Sequence, residues 1–456
     1  MSTRGQAPRA SFTDILLAGL APDGGLYLPQ AWPPVPAAEQ AGFAGKPYAD
    51  VAFAILRRFV GSDVGDADLK ADIAAAYATF DGPEIAPLRG LGPRTFLLEL
   101  FHGPTLAFKD IALQILGRLF SRALARRGGK ATVVAATSGD TGSAAIAALG
   151  GLANIEVFVL HPKGRVSEVQ RRQMTTSGHA NVHNIALEGT FDDCQGIVKA
   201  LFADRDFAPA VSLTAVNSIN FARIAAQSVY YFTATAALAM PCVFVVPTGN
   251  FGDVFAGEAA MRLGLPVEKL IVATNENDIM ARVLTEGVYK PGPVHASLSP
   301  SMDIQVASNF ERALFEASGR DAEWLRDAMA TLAAEGALTL PAAILADLRR
   351  RYEAQRTTDA QTLETIAEVY RQFGFAIDPH TAVAAHGQLN AVHRGRTVIL
   401  STAHPAKFPD AVARASGMPP PLPERLKGLL NRPERLDILP NDKALVRAHI
   451  ESKLSR

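Results

Sequence analysis

From residue 131 onward, short apolar runs alternate with segments that have the spacing of helices. The runs are continuous and rich in valine and isoleucine, which is typical of strands buried on both faces of a parallel sheet. Such strands are predicted at Ala131–Thr137, Ile155–Leu160, Val182–Leu187, Val211–Ala215, Cys242–Val246, Leu270–Thr274 and Thr397–Leu400. The alternation predicts an α/β fold, in which ligands bind beyond the carboxyl ends of the strands.

Helices are predicted beside these strands. They are expected at Ile111–Leu124, Ser143–Leu149, Val166–Thr176 and Val254–Leu263. Residues 310–375 also have a mostly helical pattern, with charged positions toward water. We interpret that stretch as an insertion packed on one side, without chemistry of its own.

The bulk composition excludes several classes of protein. A chain of 456 residues is expected to form two or three units. Lysine plus arginine equals aspartate plus glutamate, 45 each, which argues against a nucleic-acid-binding protein. Cys194 and Cys242 are far apart in apolar surroundings, so neither a disulfide framework nor a CxxC metal site is predicted.

No membrane span and no secretory signal are predicted. The longest apolar stretch, Thr233–Val246, is interrupted at Met240–Pro241 and is shorter than the ~20 residues that a span needs. The first ten residues are polar, without an apolar segment behind them. We therefore expect a cytoplasmic protein.

Lys109 is the first candidate for chemistry. It follows the apolar triplet Leu106–Phe108 and precedes the predicted helix Ile111–Leu124. A lysine in apolar surroundings loses its charge more easily, and its amine can then form a Schiff base with an aldehyde cofactor. The alternative is an exposed lysine at the start of a helix, and the lysine by itself favours that alternative.

Two glycine-containing loops lie between a predicted strand and a helix. One is Ser138-Gly139-Asp140-Thr141, and the other is Gly249-Asn250-Phe251-Gly252-Asp253. Glycine lets the backbone approach a ligand closely, and free N–H groups at a helix start favour an anion. Ordinary capped turns are the alternative. Neither loop matches GxGxxG or a P-loop, so nucleotide binding has little support.

Two further segments carry cationic groups. Asn217–Arg223 places Ser218, Asn220 and Arg223 around a helix start, where Arg223 can bind a phosphate with two hydrogen bonds. A capped helix with a surface arginine is the alternative. Ser401–Lys407 follows a predicted strand and contributes Thr402 and Lys407. The histidines lack a metal pattern such as HExxH, so no metal site is predicted.

Together these segments resemble the threonine synthases, in the same order along the chain. Ser2–Gly5 and Ala21–Tyr27 resemble the opening motifs of the longer bacterial and fungal branch of that family. His102–Asp110 resembles the lysine segment of the family, and Leu439–Asp442 also fits. The resemblance implies a fold of the tryptophan-synthase-β type, with two parallel-sheet domains and pyridoxal phosphate between them. The implied division is an N-terminal module at 1–90, a catalytic region at 91–430 and a C-terminal tail at 431–456. A small α/β domain, roughly 131–220, is expected within the catalytic region.

The resemblance also implies roles for individual residues. Lys109 would hold pyridoxal phosphate as a Schiff base, with Phe108 near the ring and Thr402 at the pyridine nitrogen. The cofactor phosphate would bind Gly249, Asn250, Phe251, Gly252 and Asp253. The substrate carboxylate would bind Ser138, Gly139, Asp140 and Thr141. The substrate phosphate would bind Ser218, Asn220, Arg223 and Lys407. The shorter branch has asparagine at the position of Asp140, so the contact to the hydroxyl of the cofactor ring stays open.

The implied reaction converts O-phospho-L-homoserine and water into L-threonine and phosphate, in a monomer or a small homo-oligomer. Rival interpretations are a serine or threonine dehydratase and a lyase that yields 2-oxobutyrate and phosphate from the same substrate. A non-enzymatic binding protein and a nucleotide-dependent oxidoreductase are further alternatives. The second phosphate site at Arg223 and Lys407 argues against the dehydratase, whereas the sequence separates the lyase poorly.

Overall fold

The strands form two separate sheets, one mostly and one wholly parallel, and one short ribbon in the computed structural model, which describes residues 1–214, 218–389, 391 and 393–454. Ala215, at the end of a predicted strand, and Asn217, at the start of the Arg223 segment, lie outside the described residues. The two sheets confirm the predicted α/β fold.

The N-terminal part of the chain is helical. Its helices are α1 (Phe12–Ala18), α2 (Ala37–Ala41), α3 (Tyr48–Val60) and α4 (Asp66–Tyr77). The first residues are fixed to a distant part of the chain, because Thr3 Oγ1 donates to Glu311 at 2.7 Å and Arg4 pairs with the same carboxylate at 3.0 Å. Helix α3 packs against a long central helix of the catalytic region. This part therefore packs directly on the rest of the protein.

The first sheet has six strands, and all of them are parallel except β1. In spatial order they are β1 (Leu88–Gly90), β2 (Thr95–Glu99), β12 (Arg396–Ser401), β7 (Cys242–Pro247), β8 (Val267–Thr274) and β11 (Tyr352–Arg356). The central strand β7 is buried along its whole length. Such burial on both faces explains why its sequence is a continuous apolar run.

The second sheet has five strands, all parallel. In spatial order they are β13 (Asp437–Pro440), β5 (Val182–Glu188), β4 (Ile155–Pro162), β3 (Ala131–Ala136) and β6 (Leu213–Thr214). Strand β13 comes from the C-terminal tail and pairs with β5, from Asp437 opposite Ile185 to Pro440 opposite Glu188. The tail is therefore part of the second sheet.

Helices cover both sheets, and a two-stranded ribbon joins β9 (Val288–Tyr289) to β10 (Leu338–Thr339). The helices are α5 (Lys109–Arg126), α6 (Asp140–Leu149), α7 (Glu168–Thr175), α8 (Phe191–Phe202), α9 (Phe207–Ala210), α10 (Phe221–Leu238), α11 (Gly252–Arg262), α12 (Ile279–Glu286), α13 (Phe310–Ala317), α14 (Ala322–Glu335), α15 (Ala342–Arg351), α16 (Asp359–Phe373), α17 (Pro379–Ala385), α18 (Pro409–Ser416) and α19 (Lys443–Leu454). Within the described ranges, none of these helices is long and apolar enough to cross a membrane.

The stretch 310–375 contains the predicted helices, here α13 to α16, but it also supplies strand β11. This strand pairs with β8 and completes the first sheet, so the stretch is more than an attachment on one side. Only Tyr352 of the strand is buried, and the residues after it are polar or half-exposed. An edge strand of this kind has no continuous apolar run, so the sequence pattern did not predict it.

The C-terminal helix α19 closes the core of the second sheet. Val446 and Ile450 are fully buried against a cluster that includes Phe158 and Leu187, whereas Leu445 on the same helix is 49% exposed. We expect Ile450→Ala to lower the free energy of unfolding by about 2–4 kcal/mol, because it leaves a cavity in a packed core. Denaturant unfolding measures this, with Leu445→Ala as the control that changes it by less than about 0.5 kcal/mol. Equal effects of the two substitutions would contradict the packing role of α19.

Candidate active site

A central cavity lies where strands of both sheets end. The ends of β7 and β12 face it from the first sheet, and the loop after β3 faces it from the second. Its lining residues are Phe108, Lys109, Asp140, Thr141, Ser218, Arg223, Gln227, Pro247, Thr248, Gly249–Val254, Ser301, Met302, His380, Thr402 and Ala403. The cavity therefore brings together residues from all five segments that were selected from the sequence as candidates for chemistry.

Lys109 is held at the end of β12 by a short strand-like contact. Ala107 pairs with Ala403, and the Phe108 N–H donates to the Thr402 carbonyl at 2.8 Å. The next residue along the chain, Asp110, is anchored by the N–H of Thr105 at 2.8 Å and by its hydroxyl at 2.7 Å. These contacts fix the start of α5, so Lys109 enters the cavity from a rigid support.

The amine of Lys109 is buried and close to other charges. Its Nζ lies 3.5 Å from Asp140 Oδ2 and 4.8 Å from the centre of the Phe108 ring. Burial lowers the pKa of Lys109, and the charges of Lys407 and Arg223 lower it further, although Asp140 acts in the opposite direction. A lysine in this environment reaches the neutral, nucleophilic form more easily than an exposed lysine.

The loop before α6 is shaped by Thr137 and Gly139. Thr137 Oγ1 accepts the N–H groups of Gly139 and Gly142, both at 2.9 Å. Gly139 has φ 142°, and a Cβ there would lie 2.5 Å from Gln170 Cδ, so only glycine fits. Asp140 and Thr141 line the cavity, whereas Ser138 and Gly139 are not among its lining residues.

Asp140 is the centre of a buried charge cluster. Its Oδ1 lies 2.7 Å from Lys407 Nζ and accepts from Gln170 Nε2 at 2.8 Å, while Ser301 Oγ donates to Oδ2 at 3.4 Å. Burial raises the pKa of Asp140, but the charges of Lys407 and Lys109 outweigh it and lower that pKa well below its ordinary value. An ionised carboxylate is an acceptor only, so its side chain cannot donate to a substrate carboxylate. The backbone N–H of Asp140 stays available for the predicted contact.

We expect Asp140→Asn to lower the free energy of unfolding of the cofactor-free protein by about 3–5 kcal/mol at pH 7, because Lys407 is left buried without its partner. The folded-state pKa of Asp140 lies below its unfolded value near 3.8, so this stability is complete above about pH 4 and is lost only as the pH falls further. Denaturant unfolding at several pH values measures the difference. The control is Asp66→Asn, which removes the partner of Arg57 from a pair whose aspartate side chain is 59% exposed. A loss for Asp140→Asn no larger than the ~1 kcal/mol expected of the control would contradict the pairing.

The second loop, Gly249–Asp253, leads into the first turn of α11 and lines the cavity. Phe251 has φ 63°, in the left-handed region, and its ring is buried 5.2 Å from both Phe310 and Tyr352. This packing holds a conformation that costs a non-glycine residue about 1–3 kcal/mol. A Cβ at Gly249 would lie 2.6 Å from the Ser301 carbonyl oxygen. The loop is thus a close-fitting cradle at a helix start, where N–H groups favour an anion.

Arg223 is buried in the first turn of α10 and lines the cavity. Its Nε and Nη1 atoms have no hydrogen-bond partner among the described residues, and its exposure is 4%. Burial lowers the pKa of Arg223 to about 10, so it is charged at neutral pH. A buried guanidinium without a partner is costly, and a bound anion would remove that cost.

Asn220 and Lys407 do not line the cavity. The Asn220 amide donates to the Leu16 carbonyl at 2.8 Å, and its oxygen accepts the Ala222 N–H at 3.1 Å, so the side chain caps α10. Lys407 donates to the Thr105 carbonyl at 2.7 Å and pairs with Asp140, fully buried. Their contacts with a substrate phosphate therefore stay predictions that the cavity lining does not support.

Ser301 and His380 also line the cavity, and neither was predicted from the sequence. The N–H of Ser301 donates to His380 Nε2 at 3.2 Å, and His380 Nδ1 lies 2.7 Å from the Asp378 carboxylate. The acceptor role of Nε2 places the proton on Nδ1. Gln227 and Thr248 were missed as well. Asp378-Pro379 is typical of a helix start, and this was the one signal that pointed to His380.

The cavity fits pyridoxal phosphate. It combines a buried amine for an aldehyde, a backbone cradle for a phosphate and Thr402 at the end of β12. The unpartnered Nε and Nη1 atoms of buried Arg223 indicate that an anion also binds in this cavity.

Family comparisons cover most of the chain. Residues 1–77 match the family described as threonine synthase N terminus, residues 83–356 match pyridoxal-phosphate dependent enzymes, and residues 381–450 match the C-terminal part of threonine synthase. These matches contain every residue of the cavity lining except His380, which lies just before the third match.

Individual relatives agree with the family matches. A threonine synthase of Pseudomonas aeruginosa is 50% identical over 100% of this chain and 98% of its own length. A crystal structure of threonine synthase with bound PLP from Brucella melitensis superimposes with a TM-score of 0.97 at 49% identity, over 99% of this chain and 98% of that one. The yeast threonine synthase structure gives a TM-score of 0.95 at 40% identity, over 100% and 98%. This confirms the predicted resemblance: the chain belongs to the threonine synthase family.

Proposed function

We propose that this protein uses pyridoxal phosphate to convert O-phospho-L-homoserine and water into L-threonine and phosphate. One observation carries the proposal. The buried amine of Lys109 shares a single cavity with two separate anion-binding features, the Gly249–Asp253 loop and the unpartnered guanidinium of Arg223. A reaction with a phosphorylated cofactor and a phosphorylated substrate needs both.

The cofactor would be held by residues that line the cavity. Lys109 would bind its aldehyde carbon through Nζ, Phe108 would lie beside the ring, and Thr402 would donate to or accept from the ring nitrogen. The loop from Gly249 to Asp253 would bind its phosphate through backbone N–H groups. When bound, pyridoxal phosphate supplies an electron sink that makes the substrate α- and β-protons removable.

Lys109 would move the proton at the substrate α-carbon. Its lowered pKa supports a neutral Nζ that accepts this proton and later returns it. Asp140, ionised and 3.5 Å away, would keep the resulting ammonium in place. The first turn of α6, with the N–H group of Asp140 and the hydroxyl of Thr141, would orient the substrate carboxylate.

Arg223 would stabilise the phosphate that leaves the γ-carbon. Negative charge develops on that group, and a desolvated guanidinium stabilises it more than water does. Ser218 also lines the cavity near the start of α10 and would donate to the same phosphate. The same contacts would select phosphohomoserine over homoserine. Water then adds its hydroxyl at the β-carbon, protons are returned to the α- and γ-carbons, and the enclosing walls of the cavity limit side reactions.

The test is one reaction of purified protein with pyridoxal phosphate and O-phospho-L-homoserine, in which phosphate, L-threonine and 2-oxobutyrate are all quantified. We expect one threonine per phosphate. Phosphate with 2-oxobutyrate would instead establish the rival lyase on the same scaffold. Absence of phosphate release would overturn the role of Arg223.

The proposal extends to the division of the chain, its partners and its compartment. We propose functional divisions at 1–90, 91–430 and 431–456, with the smaller α/β unit near 131–220 joined by β13. The neutral charge supports a small-molecule enzyme without a nucleic-acid partner, and we propose a monomer or small homo-oligomer. Buried, unpaired Cys194 and Cys242 are consistent with a reducing compartment, and we propose the cytoplasm.

A further inference from the structure

We propose that Asp253 holds the cofactor phosphate as a neutral carboxylic acid, so that phosphate binding takes up one proton from solvent. This inference rests on the proposed function, because it assumes that a phosphate binds at the Gly249–Asp253 loop. It assigns to the side chain of Asp253 a role beyond the backbone contacts of the loop. It also predicts a pH dependence of cofactor loading that the backbone contacts by themselves would not produce.

The two oxygens of Asp253 have different surroundings. Oδ1 accepts a short hydrogen bond from the Tyr230 hydroxyl and lies 3.4 Å from the Tyr231 hydroxyl, whose shorter hydrogen bond, 2.9 Å, goes to the Asp253 carbonyl. Oδ2 is buried and has no hydrogen-bond partner among the described residues. Asp253 is 7% exposed and lines the central cavity. The hydroxyl groups thus face Oδ1. Oδ2 is free to carry a proton and to contact a ligand.

The groups around Asp253 set its charge. Burial raises the pKa of Asp253 to about 7, although hydrogen bonds from Tyr230 and Tyr231 and the charges of Lys109 and Arg223 lower it. Burial also raises the pKa of both tyrosines well above the ordinary value, so their hydroxyls stay protonated and act as donors. Two further buried tyrosines act in the same direction: Tyr48 raises the pKa of Tyr230, and Tyr352 raises the pKa of Tyr231. Burial raises the pKa of Tyr48 and Tyr352 themselves, so they are neutral as well.

A phosphate dianion selects the neutral acid for two reasons. Its oxygens are acceptors, so an ionised carboxylate offers them no donor, whereas a proton on Oδ2 provides one. The negative charge of the phosphate also disfavours a second negative charge beside it and raises the pKa of the acid further. Above pH 7 the empty protein would have an ionised Asp253, and each bound phosphate would bring one proton with it.

Glu258 provides the contrast one turn further along α11. It is fully buried, but Arg262 donates to its Oε1 at 2.6 Å and Tyr352 donates to its Oε2. Both of its oxygens therefore have partners, and it does not line the cavity. Glu258→Gln is accordingly the matched control for Asp253→Asn, since both replace a buried acid on the same helix with its amide.

The experiment measures binding of 4′-deoxypyridoxine 5′-phosphate, which lacks the aldehyde and cannot react with Lys109, to the cofactor-free full chain. Titration calorimetry between pH 6.5 and 8.5, in buffers of different ionisation enthalpy, gives both the affinity and the protons taken up. For the unmodified protein we expect uptake at pH 8 to exceed that of Asp253→Asn by about one proton. Its affinity should fall by about tenfold per pH unit above pH 7, relative to that variant.

A second variant tests the inference independently, in case Asp253→Asn does not fold. Tyr230→Phe removes one donor to Asp253 Oδ1, which raises the pKa of Asp253 and should move the onset of the affinity loss to higher pH. Glu258→Gln should behave like the unmodified protein. Equal proton uptake by the unmodified protein and Asp253→Asn would overturn this inference while leaving the proposed function intact. Absence of binding by the unmodified protein would overturn the cofactor assignment itself, and this inference with it.

Discussion

Replacing Lys109 with alanine is expected to abolish formation of threonine, with a loss of at least ~10³-fold in kcat, because one amine would serve both as the attachment point of the cofactor and as the base for the α-proton. The variant should still bind pyridoxal phosphate, since the Gly249–Asp253 loop and Thr402 are unchanged. No other lysine that the structure describes lines the central cavity, so no neighbour can replace it.

Two measurements separate attachment from turnover. Borohydride reduction followed by mass spectrometry should find the cofactor on Lys109 in the unmodified protein and nowhere in the variant. Phosphate and threonine assays then report turnover. Lys163→Ala is the control, because that lysine is half-exposed and pairs with Glu188 at the surface. Turnover that survives in Lys109→Ala would refute the catalytic assignment.

Replacing Arg223 with alanine is expected to lower kcat/KM for O-phospho-L-homoserine by about 10²–10³-fold, because a preorganised donor to the developing charge is lost. Affinity for pyridoxal phosphate should change much less, since the backbone cradle remains. The variant should still fold, because it removes a buried charge whose Nε and Nη1 atoms have no partner among the described residues.

The role of Arg223 is decided by comparing the loss in kcat/KM with the loss in affinity for pyridoxal phosphate. Steady-state kinetics give the loss in kcat/KM, and equilibrium dialysis gives the loss in cofactor affinity for the same protein. Arg223→Lys keeps the positive charge but not the two-pronged geometry, so it should recover part of the activity. Equal losses in substrate use and in cofactor binding would instead place Arg223 at the cofactor phosphate.

The sequence by itself determined the fold class, the family and the anchors of the cavity. The central strands are buried on both faces, so each of them is a continuous apolar run that can be recognised from its own short segment of sequence. The Asp140 loop and the Gly249–Asp253 loop each follow a local rule, a strand end followed by a helix start, and Lys109 follows an apolar triplet at the start of a helix. Parallel strands end at one edge of a sheet, so such segments are expected to meet there.

Only the tertiary structure decided which groups pair across that edge. Asp140 contacts Lys407, 267 positions away by number, and Asn220 caps α10 while binding Leu16. The edge strand β11 has mostly polar residues and β13 is only partly buried, so their membership depends on the neighbours β8 and β5 rather than on their own pattern. His380 and Ser301 likewise meet only through the folding of distant segments. Charge pairing, edge-strand pairing and burial depend on distances in space, and these are not written in the spacing of residues along a chain.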